Sequence, residues 1–232
     1  MATVWGEIAG RQITFPVEVD DANVATLMFG VPSAAAAALL PGAAFEIAET
    51  APGTAQLVLA ACDYRQNPWG SYNEINLGFL ARPTGAPPET VGSFVYRMPV
   101  NQQFTCSAGR AVMGFPKTVE EIPIEYTEAT VAFRLVMAGR LAFALTLPRV
   151  PASGPPQRIE ALTYSYLDGR PHVTPLSMDM GTGAVDDPSD VAFELGEGPV
   201  AEELRSLGLP RPPDFCVWGE GLTATFALGQ PL

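Results

Sequence analysis

The chain has 232 residues, of which 47% are hydrophobic and 16% charged, and a formal net charge of −12. That length and apolar content suit a folded domain with a full core and exclude disorder. The acidic balance excludes nucleic acid and anionic membrane surfaces as partners, since both are held by clustered Lys and Arg, and the low charge density points to a surface that is largely neutral or is buried in a homo-oligomer.

No targeting segment is expected, because Met1–Gly10 carries Glu7 and no basic cluster. The longest apolar run, Ala34–Phe45, is broken by Pro41 and Gly42 and is too short to span a bilayer. Cys62, Cys106 and Cys216 show no paired spacing. They read as reduced thiols, which makes the cytoplasm the expected location. With His172 as the sole histidine and no Cys-x-x-Cys, no metal site is expected, and no cofactor either.

Gly and Pro punctuate short apolar segments throughout, a spacing that favours strands. In chain order, strands are predicted at Gln12–Val19, Asn23–Val31, Phe45–Glu49, Ala55–Tyr64, Tyr72–Ala81 and Ser93–Met98. They continue at Glu121–Tyr126, Thr130–Met137, Arg140–Leu147, Ile159–Leu167, Pro171–Met178, Val191–Leu195 and Phe215–Phe226. Ala138-Gly139 and Asp168-Gly169 are hairpin turn signals, the second suited to a type I′ turn. Helices are predicted at Ser33–Leu40 with Ser33 as N-cap, at Gln102–Val112 and at Val200–Leu207. Val150–Gln157 carries three prolines and reads as a loop. The fold class that follows is α+β and β-rich: a closed or strongly coiled antiparallel sheet, a cone-like barrel, with a few short helices, in one domain over residues 1–232.

Chemistry concentrates in Ala108-Gly-Arg-Ala-Val-Met-Gly-Phe-Pro-Lys117. Lys117 is the only lysine in the chain and follows Met113, Gly114, Phe115 and Pro116, an apolar setting rather than a solvated one. A lysine amine attacks a carbonyl only when neutral, so its reference pKa near 10.4 must fall, and desolvation moves it that way. Met113 and Phe115 are the candidate pocket wall. Upstream, alternation puts Tyr72, Glu74 and Asn76 on one face of a strand and Asn73, Ile75, Leu77 and Phe79 on the other. The second face reads as core. The first reads either as a solvent face or as the lining of a barrel cavity, in which Glu74 would move protons.

Gly109-Arg110 with Gly114-Phe115-Pro116-Lys117 resembles the Gly-Arg-Glu…Pro-Lys signature of the acetoacetate decarboxylase superfamily, and Tyr72-Asn73-Glu74 resembles its Tyr-x-Glu motif. Leu39-Leu40-Pro41, Tyr166-Leu-Asp-Gly-Arg-Pro171 and Val191-Ala-Phe-Glu-Leu195 resemble other parts of the family in the same order. The resemblance implies a β-rich cone or barrel, an oligomer, a small keto acid substrate, Lys117 as the Schiff-base lysine and Glu74 as the cavity carboxylate. Such an amine condenses with a ketone to an iminium that acts as an electron sink. The expected activity is that of a carbon–carbon lyase on a 3-oxo or 2-oxo acid. Decarboxylation leads, aldol condensation with dehydration follows, and a non-catalytic binding barrel is the remaining alternative.

The chain also departs from that pattern. Thr118 stands where the family carries a second lysine, Leu59 near its other cavity glutamate, Ala22 near its N-terminal arginine, and Ala111 follows Gly-Arg in place of Glu. Arg110 is a candidate ligand for a substrate carboxylate, with a structural ion pair as its other reading. Trp69 and Tyr72 are candidate pocket walls. His172 reads as a loop or strand-edge residue, and Glu202-Glu203 as the polar face of a helix.

Overall fold

The computed structural model describes residues 2–232. In chain order the elements are β1 (Thr3–Ile8), β2 (Arg11–Phe15), β3 (Val17–Pro32), α1 (Ser33–Leu39), β4 (Phe45–Ile47), β5 (Thr54–Gln66), β6 (Tyr72–Pro83) and β7 (Gly92–Val100). Then follow α2 (Gln103–Met113), β8 (Lys117–Val119), β9 (Ile124–Tyr126), β10 (Thr130–Met137), β11 (Arg140–Pro148), β12 (Gln157–Leu167) and β13 (Arg170–Met180). The last are β14 (Thr182–Ala184), β15 (Ala192–Leu195), α3 (Pro199–Ser206), β16 (Phe215–Phe226) and β17 (Gln230–Pro231).

Seven strands close a barrel in the order β16-β3-β5-β6-β7-β12-β13, with β13 pairing back onto β16. The sheet is antiparallel except where β7 runs parallel to β12 and to the short β8. A second sheet, β15-β11-β10-β9, lies outside the barrel. Its apolar face, with Val131, Phe133, Leu135, Phe143 and Leu145, packs on the outward face of β3, β5 and β6. The main core is therefore a sandwich between the second sheet and one barrel wall. Along β3 the outward residues Ala25, Leu27, Phe29 and Val31 are buried, whereas the inward Val24, Thr26 and Met28 are only half-buried. That contrast marks an interior left open.

The turn chemistry follows the sequence. Asp168 and Gly169 have φ of 50° and 74°, and Ala138 and Gly139 have 50° and 73°, the positive angles a type I′ turn requires. Several expectations are corrected. The predicted strand Gln12–Val19 is two strands, β2 and β3, with Pro16 between them, a residue with no N–H for a ladder. Ser33 is not the N-cap of α1: that position is Pro32, no side chain caps the helix, and the Ser33 N–H donates to Gly53 O at 2.9 Å. His172 is neither in a loop nor at an exposed edge. It is 3% exposed within β13, paired on one side with Ser165 and on the other with Pro231. The segment after β11 brings Ser153, Gly154 and Pro155 over one end of the barrel interior.

Candidate active site

Lys117 is positioned by the two elements around it. Gln102 caps α2, its side chain accepting from Thr105 N at 3.0 Å. The helix ends at Gly114, whose φ of 65° suits a left-handed cap, and a Cβ there would lie 2.3 Å from Tyr166 O. The chain then turns back, with Phe115 N–H donating to Gly109 O at 3.2 Å, and enters β8 alongside β7, Lys117 opposite Met98. The lysine side chain lies flat against Gly109. A Cβ on that residue would sit 2.7 Å from Lys117 Cε and 2.8 Å from Cδ. Only glycine leaves room for the lysine to pass this face of the helix.

Lys117 is 3% exposed, and its ammonium meets Glu74, itself 3% exposed, with Nζ–Oε2 at 2.5 Å. Thr105 Oγ1 is 3.4 Å from the same nitrogen, and the Tyr72 ring centroid is 5.1 Å away. The other Glu74 oxygen accepts from Asn76 Nδ2 at 3.2 Å. Across the barrel wall Glu74 pairs with Cys62 and Tyr72 with Tyr64. Burial, followed by the Glu74 charge, pushes the Cys62 thiol and the Tyr72 phenol well above their ordinary values. Burial does the same to Tyr64. These groups stay protonated and neutral.

The pair sits in the wall of a cavity of about 700 Å³ that fills the barrel interior. Tyr72, Met113, Phe115 and Trp69 all line it, as do Lys117, Glu74 and Asn76. Among the described lining residues, Lys117 and Glu74 are the only charged ones. Arg110 lies apart from the other candidate residues. It is exposed and does not line the cavity, and its Nη1 donates to Lys117 O at 3.2 Å from outside. One step along a helix from Gly109 turns the side chain about 100° away, which takes it to solvent. Leu59 is fully buried in the sandwich core on the opposite face of β5, so the residue facing Glu74 is Cys62. Ala22 does line the cavity.

Cys62, Thr105 and Gly109 were not singled out from sequence as members of this site. Cys62 shares the period-two face of Tyr64, and that signal was available. The register that places it opposite Glu74 was not. Thr105 is three and four residues from Ala108 and Gly109 on α2, one helical turn along the same face.

Residues 6–212 match the family profile described as acetoacetate decarboxylase (ADC). No curated protein sequence gives a significant match. Among solved structures, acetoacetate decarboxylase from Legionella pneumophila subsp. pneumophila str. Philadelphia 1 superposes with a TM-score of 0.69 at 15% identity, covering 98% of this chain and 93% of that one. An acetoacetate decarboxylase-like enzyme from Sphingomonas wittichii RW1 gives 0.60 at 15% identity, covering 100% of both chains. The enduracididine biosynthesis enzyme MppR, complexed with pyruvate, gives 0.58 at 15% identity over 94% of this chain and 91% of that one.

Proposed function

Because the chain belongs to the acetoacetate decarboxylase family, we propose that it is a Schiff-base lyase that decarboxylates a 3-oxo acid through an iminium on Lys117. The observation that carries this reading is the buried Lys117–Glu74 pair in the wall of a cavity otherwise lined by uncharged groups.

Each step has a residue to perform it. Proton transfer from Nζ to Glu74 Oε2, across 2.5 Å, leaves a neutral amine beside a neutral acid. The amine attacks the ketone carbon, and loss of water gives the iminium. The bond between C2 and the carboxylate carbon then breaks. Its electron pair forms the C2–C3 double bond of an enamine and neutralises the iminium nitrogen, while CO2 departs. The proton that Glu74 received leaves with the water lost in iminium formation, so Glu74 takes up a second proton from solvent water and delivers it to C2. Water then hydrolyses the restored iminium, releasing the ketone and returning the amine.

The cavity favours expelling a carboxylate over keeping one. A carboxylate taken from water into an apolar site loses its hydration, and its conversion to neutral CO2 removes that penalty. A reaction that retained the carboxylate would call for a cation beside the iminium, and the described lining has none. Aldol condensation with dehydration is the second reading. It shares the enamine, and the volume of about 700 Å³ leaves room for an aldehyde beside it. One structural neighbour, MppR, is complexed with the condensation product of pyruvate and imidazole 4-carboxaldehyde.

Borohydride trapping with acetoacetate and, separately, pyruvate tests the reading, followed by intact mass and peptide mapping. The expected result is a ketone-dependent adduct on Lys117 and CO2 release that Lys117→Ala abolishes. The map must separate Lys117 from the N-terminal amine, whose pKa of about 7.7–8.0 makes it reactive too. Turnover retained in Lys117→Ala overturns the proposal. Pyruvate-dependent aldol product without CO2 release replaces it with the second reading.

A further inference from the structure

The barrel interior is much larger than the catalytic pair requires, and its extension has a direction. Strand register sets out successive layers of inward residues. Glu74, Cys62 and Val24 form the layer at the catalytic pair. Two residues further along each strand come Asn76, Ala60 and Thr26, with Val217 closing that layer on β16. Two residues further again come Gly78, Val58 and Met28, with Phe215 on β16. Four residues of strand at about 3.4 Å each, tilted about 40° to the barrel axis, place this last layer about 10 Å further along the channel than the first.

All of these residues line the one cavity that holds Lys117. The polar side chains along this stretch, Thr26, Asn76, Ser93 and Thr163, and those at its outer end, Ser153, Gln157 and Thr182, are uncharged, and the remaining side chains are aliphatic or aromatic. Gly78 keeps the channel wide. A Cβ there would fall 2.9 Å from Phe94 O, so this layer holds no side chain on β6. The channel ends at an apolar rim in which Phe215 is 45% and Ile159 42% exposed. Residues with that much free apolar surface on a cavity rim fit a ligand that is itself apolar at that end.

We infer that the substrate is a carbonyl compound bearing an extended apolar substituent, a 3-oxo acid with an alkyl or aryl tail of roughly eight carbons, each advancing an extended chain of about 1.5 Å bonds by about 1.3 Å. Its carbonyl meets Lys117 and its tail lies along the channel towards Phe215 and Met28. This rests on the Schiff-base reading above and extends it to the substrate's class. The carboxylate is needed at the reacting end alone, and the rest of the molecule is recognised by burial.

The test uses the intact protein and the series 2-butanone, 2-hexanone, 2-octanone and 2-decanone, trapped on Lys117 with cyanoborohydride and read by mass. Trapping efficiency at limiting ketone should rise about fourfold for each added methylene, as burial of a CH2 predicts, and level off near the length of the channel. kcat/KM for 3-oxo acids of increasing length should follow the same profile. In Val58→Phe, which narrows the outer layer, the ratio of 2-octanone to 2-butanone trapping should fall at least tenfold. Binding of 2-octanol, which has no carbonyl, reads the channel independently of imine formation. Adducts on Lys117 whose efficiency is flat or falls with chain length overturn this inference and leave the Schiff-base reading standing. No adduct with any ketone, together with binding of 2-octanol that Val58→Phe weakens, overturns the Schiff-base reading and upholds the apolar channel. Neither adducts nor alcohol binding overturns both.

Discussion

Gly109→Ala isolates the placement of the lysine from its identity. A methyl group at this position would stand 2.7 Å from Lys117 Cε and 2.8 Å from Cδ. Ordinary carbon–carbon contact begins near 3.5 Å, so both methylenes are about 0.7 Å too close. Two adjacent atoms are struck, so the chain must swing as a unit, and Nζ at its end moves by about 1 Å away from Glu74 and Thr105. A misplacement of that size costs about 10²-fold in rate. The stability effect is small by comparison. Alanine in a helix interior gains about 1 kcal/mol over glycine, and crowding a packed site costs about 1–3 kcal/mol, so the net cost is at most about 2 kcal/mol. The assay is kcat/KM for CO2 release beside a thermal melt. The expected pattern is a loss of about a hundredfold with a melting temperature shifted by only a few degrees. A rate within threefold of the unmodified protein would refute the reasoning, because Lys117 would then not depend on the flat face of α2.

Two further expectations follow from the site and the rim. Glu74→Gln keeps an amide within reach of Nζ but cannot take or deliver a proton; the rate should fall about 10²–10⁴-fold while borohydride still traps ketone on Lys117, and an unaltered rate removes Glu74 from the mechanism. Asp214 accepts from Arg211 Nη1 at 2.7 Å and Nη2 at 3.0 Å, and from Gly30 N, immediately before the rim residue Phe215. The Arg211 guanidinium is the main cause that holds the Asp214 carboxyl below its ordinary value of 3.8. A depressed carboxyl contributes its stabilisation in full above that ordinary value and loses it as pH falls through the lower folded value. Acid unfolding followed by circular dichroism should therefore show a smaller loss of stability below about pH 4 in Asp214→Asn than in the unmodified chain; superimposable differences at all pH values would refute this.

The parts of the fold that read directly from the sequence are those set by local chemistry. Alternation on Tyr72–Ala81 separates Ile75, Leu77 and Phe79, which are fully buried in the sandwich, from Glu74 and Asn76, which face the cavity. The Asp168-Gly169 hairpin and the position of α2 were equally local. What the sequence did not carry was register and partner. Leu59 and Cys62 lie three residues apart on β5 and so face opposite sides; the pairing with β6 alone decides which one looks at Glu74. The parallel joints of β7 with β8 and β12 are long-range, and no motif announces them. His172 looked peripheral because the strand that covers it, β17, contributes two residues at the chain's far end. Arg110 and Gly109 are adjacent in the motif, and helical geometry gives the position against Lys117 to Gly109 and an exposed one to Arg110.

The placement of the main core outside the barrel has an evolutionary consequence. On β3, β5 and β6 the residues that hold the molecule together and the residues that line the cavity alternate one by one, and they face opposite ways. Exchanging Val24, Thr26, Met28 or Val58 alters the room available to a substrate while Ala25, Leu27, Phe29 and Leu59 go on packing against the second sheet. A fold wired this way can try new substrates with little risk of unfolding, so its lineage can drift in what it accepts while the lysine and its carboxylate stay in place.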